Sequence, residues 1–141
     1  MAPRSSTKNP PQRRTCLYVD DDPGAISVAQ EVAAQRKLVL MVAPDLGQAL
    51  NLARRRRPEV ILVNLDLAAL AAATVIQILR ANPISQAAPV LALANDAAPR
   101  AAIKALEAGF FLYLAKPLEA ERFTEALDYA LEFSALERAE L

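Results

Sequence analysis

The sequence contains no histidine and no tryptophan, and its only cysteine is Cys16. Without histidine the commonest general base and transition-metal ligand is missing, and a lone thiol cannot close an intramolecular disulfide. Zinc sites and Ser/His or Cys/His catalysis are therefore excluded. No apolar run reaches the roughly 18 residues that a membrane helix needs. The polar, proline-containing start lacks the apolar core of a signal peptide, so a cytoplasmic location is expected. An excess of either charge is missing too: 16 basic residues stand against 16 acidic ones. No overall field then directs the chain to nucleic acid or to a membrane, and neither is expected as a partner.

What is present is apolar: 54% of 141 residues, enough for the core of one domain. Residues 1–14, MAPRSSTKNPPQRR, offer almost nothing to bury and read as a flexible tail, which leaves residues 15–141 for the domain. Short apolar runs recur as CLYV (16–19), LVLMVA (38–43), VILVN (60–64), PVLALA (89–94) and FFLYLA (110–115). Near-continuous apolar runs suit strands covered on both faces, as in a parallel sheet wrapped by helices.

Between the runs, apolar residues return at helical spacing. Ala25, Val28, Ala29, Val32 and Ala33 form one stripe, and Leu46, Ala49, Leu50 and Ala53 a second. Ala72, Val75, Ile78 and Leu79 mark a third helix, and Ala102, Ile103 and Leu106 a fourth. Phe123, Ala126, Leu127, Ala130, Leu131 and Ser134 mark a fifth. Asp45 is placed to cap the second helix, Gly109 to stop the fourth, and Pro58 follows the end of the second. Five strand–helix alternations predict an α/β fold, (βα)5, with a doubly wound five-stranded parallel sheet of flavodoxin-like type. In such sheets ligands bind beyond the carboxyl ends of the strands, which directs attention to Asp20 to Asp22, Asn64 to Asp66, Ala94 to Asp96, and Lys116 to Pro117.

The adjacent carboxylates Asp20, Asp21 and Asp22 repel one another unless solvated or met by a cation, for which a hard ion such as Mg²⁺ is the natural choice. Lys116 ends the last apolar run and can face them. In this order and spacing, LYVDDDP, APDLGQALNLARRRRPEVILVNLDL, IQILRANP, APVLALAND and ALEAGFFLYLAKPLEAERFTEAL resemble the receiver domains of response regulators and hybrid histidine kinases, over residues 16–133. The resemblance implies that Asp20 and Asp21 match the acidic pair that holds Mg²⁺. It also matches Lys116 to the lysine that neutralises a phosphoryl group, and Tyr113 to the switch aromatic.

Two matched positions break the pattern. The phosphoacceptor aspartate is Asn64 here, and the Ser/Thr that bonds the phosphoryl group is Ala94. A neutral amide is a poor nucleophile and cannot form an acyl phosphate. The proline and glycine that follow the third strand in such domains are also absent, because the chain reads LAALAAA at 67–73. The expectation is a pseudo-receiver: no enzyme, no cofactor beyond weak residual Mg²⁺ at Asp20 and Asp21, and a protein-docking role with a histidine kinase, an output domain or itself.

A homodimer through residues 100–141 is expected because Phe133 and Leu136 extend the fifth helix beyond what one domain buries. Two other readings stand beside this one: a receiver still phosphorylated, for example at Asp66, or a small-ligand sensor using the vacated pocket. Asp66, two residues past Asn64 in an extended strand, would point to the same side, but its side chain is not expected to reach Lys116. Replacing Asp20 and Asp21 by alanine is expected to leave docking intact. Arg54 to Arg57 read as cations at a helix end, with acidic residues elsewhere cancelling their field.

Overall fold

The computed structural model describes residues 14–68, 70–82 and 87–139. The tail expected over residues 1–14 lies outside them, apart from Arg14. Five strands form one parallel sheet: β1 (Thr15–Val19), β2 (Val39–Ala43), β3 (Val60–Asn64), β4 (Val90–Ala94) and β5 (Leu112–Ala115). The connecting helices are α1 (Pro23–Gln35), α2 (Leu46–Arg55), α3 (Ala72–Arg80), α4 (Pro99–Ala108) and α5 (Ala120–Ala139), with one extra helical turn at Leu65–Ala68. The sheet order β2-β1-β3-β4-β5 is the doubly wound arrangement expected from the sequence.

Alternation along each strand divides the core in two. Cys16, Tyr18, Leu62, Leu91 and Leu93 face a layer built by α1 and α5, including Val32, Phe123 and Leu127. Leu17, Val19, Ile61, Val63 and Val90 face the opposite layer, where Ala49 of α2, Val75 and Leu79 of α3 and Ala105 of α4 pack. Burial pushes the Cys16 thiol up to about 12, so it serves as a small apolar residue. The central strands β1, β3 and β4 are buried throughout, whereas the edge strands β2 and β5 are mostly half-buried.

The stops are those that local chemistry favours. Asp45 Oδ1 accepts the Gln48 N–H at 2.8 Å and caps α2. Gly109 closes α4 at φ 118°, and a Cβ there would stand 3.3 Å from Ile76 Cγ2, so both torsion and space require glycine. The stripe expected on the fourth helix needs correction. Ala105 is the buried residue of α4, while Ile103 and Leu106 are 53% and 47% exposed. Both point away from the core, as do Tyr129, Phe133 and Leu136 of α5, because Ala105 is what α4 lays against the sheet.

The chain runs outward from β1 to β2, then returns across β1 to β3 and proceeds to β5. The reversal lies between β1 and β3, so the segments after Val19 and after Val63 open into one crevice. Asp20 and Asn64 are brought together there, although 44 residues separate them in sequence.

Candidate functional site

Asp20 is buried at the end of β1, and its carboxylate is enclosed by donors. Oδ1 accepts the Asp21 N–H at 2.7 Å, the Asp22 N–H at 3.1 Å and the Asn64 Nδ2–H at 2.8 Å. Oδ2 accepts the Tyr18 hydroxyl. A buried carboxylate is tolerated when charge-assisted bonds replace its water, and four donors do so here. Tyr18 reaches Asp20 because residues two apart on an extended strand share a face. Its phenol is shifted upward, first by burial and then by the bond to Asp20, and stays protonated as the donor.

The three carboxylates thus have separate tasks, and the two that follow Asp20 are exposed to solvent, as the expected repulsion requires. Asp20 is an internal anchor, and Asp22 is the N-cap of α1, accepting the Gly24 N–H at 3.0 Å. Asp21 is exposed. Asn64 supplies both halves of its amide: Nδ2 to Asp20, and Oδ1 to the Asp66 N–H at 3.0 Å. A carboxylate at position 64 could provide the second bond but not the first. The neutral amide N–H is the donor that position 64 turns toward Asp20.

Asp66 also needs correction. β3 ends at Asn64, and Asp66 lies in the helical turn Leu65–Ala68, not in extended chain. The turn brings its carboxylate over the carboxyl ends of β4 and β5. Oδ2 accepts the Asn95 N–H at 2.8 Å and lies 3.6 Å from Lys116 Nζ, so the side chain does reach the lysine. Asn95, directly after β4 and within the strand-end stretch Ala94 to Asp96, contributes through its backbone N–H, a role that side-chain identity does not reveal. Ala94 is buried, and its carbonyl accepts the Lys116 N–H at 2.8 Å. Tyr113 is half-buried, and its hydroxyl donates to the Asp96 carbonyl at 2.5 Å. Its phenol is shifted upward by burial, then by the charges of Asp96 and Asp66.

The site therefore has a buried floor of Tyr18, Asp20 and Asn64, and a more open rim of Asp66, Asn95 and Lys116. The donor set fits a tightly bound Mg²⁺ poorly. That ion prefers several oxygen ligands in near-octahedral array, whereas both Asp20 oxygens are engaged by protons and Asn64 turns its NH₂ inward.

The response regulator receiver domain model matches residues 16–128, and the chain belongs to that family. An uncharacterized 14.6 kDa protein from the sodA1 3′ region of Leptolyngbya boryana is 28% identical over 103 residues, covering 73% of this chain and 79% of that one. The receiver domain of the sensor histidine kinase PA1611 from Pseudomonas aeruginosa holds a magnesium ion in its active-site cleft. It matches with TM-score 0.72 at 25% identity, over 86% of this chain and 99% of its own. The chemotaxis response regulator CheY4 of Vibrio cholerae shares the fold with TM-score 0.75 at 20% identity, over 85% and 100%. This is a receiver of two-component signalling. Among the described residues, no helix is long and apolar enough to cross a membrane.

Proposed function

We propose that this receiver is a phosphorylation-independent docking module, a cytoplasmic pseudo-receiver and not an enzyme, held in one state by its own side chains. The observation that carries this reading is Asn64. Its amide stands at the phosphoacceptor position and is engaged at both ends, by Asp20 and by the Asp66 N–H. An amide there gives no acyl phosphate. The rim supports the same reading, because Lys116 and the Asn95 N–H already have an anion in Asp66 and need no phosphoryl group to gather them. Mg²⁺ binding is accordingly weak. Intact-mass analysis of freshly prepared protein after incubation with Mg²⁺ and acetyl phosphate should return the unmodified mass.

One observation favours a second reading: the Asp66 carboxylate stands beside Lys116 and is 41% exposed. A phosphoryl adduct mapping to Asp66 would establish that reading and end the first.

The docking surface we propose is the face of α4, β5 and α5 over residues 100–141. It exposes Ile103, Leu106, Tyr129, Phe133 and Leu136, with Phe111 packed at ring-centroid distances of 5.3 Å from Tyr129 and 4.9 Å from Phe133. A groove of about 500 Å³, lined in part by Leu106, Phe110, Phe111 and Phe133, continues it. A contiguous apolar surface of this kind suits a histidine kinase, an output domain or a second copy. Phe133→Glu should abolish dimers seen by sedimentation; a wild-type chain that stays monomeric at high concentration contradicts the homodimer.

A further inference from the structure

The 16 cations and 16 anions of the chain balance in number, but the segments that lead into three neighbouring strands are rich in cations. All five strands are parallel, so everything that precedes a strand lies at one end of the sheet and everything that follows lies at the other. Asp21, Asp22, Asp45, Asp66 and Asp96 follow strands and are exposed at the carboxyl end. Arg14 precedes β1, Lys37 precedes β2, and Arg54, Arg55, Arg56 and Arg57 precede β3; all six are exposed. Those three strands are neighbours, in the order β2-β1-β3.

Backbone bonds tie the three basic approaches together. The Val39 N–H donates to the Arg14 carbonyl and the Glu59 N–H to the Thr15 carbonyl, each at 2.8 Å. A five-residue strand separates the two ends by about 16 Å. That is about two Debye lengths at physiological salt, so the carboxylates of the far end do not cancel the basic field. At the near end Glu59 accepts the Thr15 N–H and Asp128 pairs with Arg36, which leaves the cations of Arg14, Lys37 and Arg54 to Arg57 in excess.

Lys37 adds an independent sign. It occupies the position after the α1 cap with φ 55°, where the Leu38 N–H bonds the Ala33 carbonyl and the Lys37 N–H the Ala34 carbonyl. Glycine is the favoured residue at such a left-handed stop, yet a lysine stands there, at a conformational cost and with its ammonium exposed. Among the described residues, Lys37, Arg55, Arg56 and Arg57 have no ion-pair partner.

We propose that this amino end of the sheet binds the phosphate backbone of duplex nucleic acid, without reading its sequence. The composition of the patch selects the partner. Protein interfaces are anchored by aromatic and aliphatic groups, but none of the exposed large apolar residues, Leu70, Ile103, Leu106, Tyr129, Phe133 and Leu136, belongs to the segments that carry these cations. The same lack leaves nothing to insert into a membrane and no ring on which unpaired bases could stack. Guanidinium forks on an otherwise polar surface suit phosphate oxygens.

The test is fluorescence anisotropy of a labelled DNA duplex of about 20 base pairs with the full chain, at about 50 mM and 200 mM salt. Contacts to about four phosphates predict roughly a 100-fold loss of affinity between those salts. Arg55→Ser/Arg56→Ser/Arg57→Ser should weaken binding at least about 10-fold at the lower salt and flatten the salt dependence. Lys37→Gly separates docking from folding, because it should weaken binding while raising the melting temperature. No binding at the lower salt, or undiminished binding by the triple variant, overturns the proposal. Competition by poly-glutamate as effective as unlabelled duplex at equal charge also overturns it, and assigns the patch to acidic proteins.

Discussion

The floor and the rim of the pocket hold one carboxylate each in opposite ways. Asp20 is buried and satisfied by a phenol, an amide and two backbone N–H groups, none of them cationic. Asp66 is 41% exposed and shares one oxygen between a backbone N–H and an ammonium. In the floor, losing any donor leaves a charge stranded in low dielectric, so the cost falls on folding. At the rim, water replaces whatever is lost, so the effect falls on where the loop after β4 sits. The floor therefore sets stability and the rim sets conformation.

The largest effect expected from breaking this contrast is at Asp20. Asp20→Ala removes the acceptor of four donors and should cost about 4 kcal/mol in urea unfolding. A loss below about 1 kcal/mol would show that water reaches the floor. Alanine exchange of both Asp20 and Asp21 is thus unsuitable for probing docking, because the first change destabilises the fold whose docking would be tested; Asp21→Ala alone is the usable probe.

Next comes Asn64→Asp, which sets a second carboxylate against Asp20 and should cost about 3 kcal/mol at neutral pH without divalent ions. Millimolar Mg²⁺ should restore most of that loss and should shift the wild type little. A variant as stable as the wild type in a chelator would deny that the amide takes the place of a cation.

Tyr18→Phe should cost about 1.5 kcal/mol, the worth of a hydrogen bond to a charged acceptor. It also carries a pH signature. The folded Tyr18 phenol is shifted up by burial and by Asp20, so its contribution is complete below the ordinary phenol value near 10 and declines as pH rises past it. Denaturant unfolding between about pH 8 and 11 should show the wild type losing stability faster than the variant. Parallel curves would place the phenol in water.

The smallest stability change belongs to the rim. Asp66→Asn should cost less than about 1 kcal/mol, as expected for a partly exposed ion pair. It should nevertheless speed hydrogen exchange at the Asn95 amide by at least about 10-fold. Unchanged exchange would mean that Asp66 does not hold the loop.

The fold was legible because its signals are local and repeated. Each of the five apolar runs became a strand within two residues of its expected ends, and the caps at Asp45 and Gly109 stand where the chain stops or starts a helix. Asn64, Ala94, Lys116 and the acidic pair were found at strand ends because parallel topology gathers those ends.

What the sequence hid depends on chain reversal and on backbone atoms. Reading Asp66 as extended missed the helical turn after Asn64 that brings it to Lys116. The Asn95 contribution lies in a backbone N–H, which every residue but proline has. Counting charge does not reveal that Arg14, Lys37 and Arg54 to Arg57 all precede neighbouring strands. Ile103 and Leu106 have the spacing of a core stripe yet face outward, since spacing gives a shared face but not its partner.

The central claim, that the pocket is closed by its own side chains, is tested most directly by following the Asn64 side-chain NH₂ and the Asn95 amide by ¹⁵N NMR during titration with Mg²⁺ and acetyl phosphate. The account predicts that both signals stay in place. Displacement of both, with the Asp66 carboxylate shifting alongside them, would contradict it and return the domain to the phosphorylated receivers.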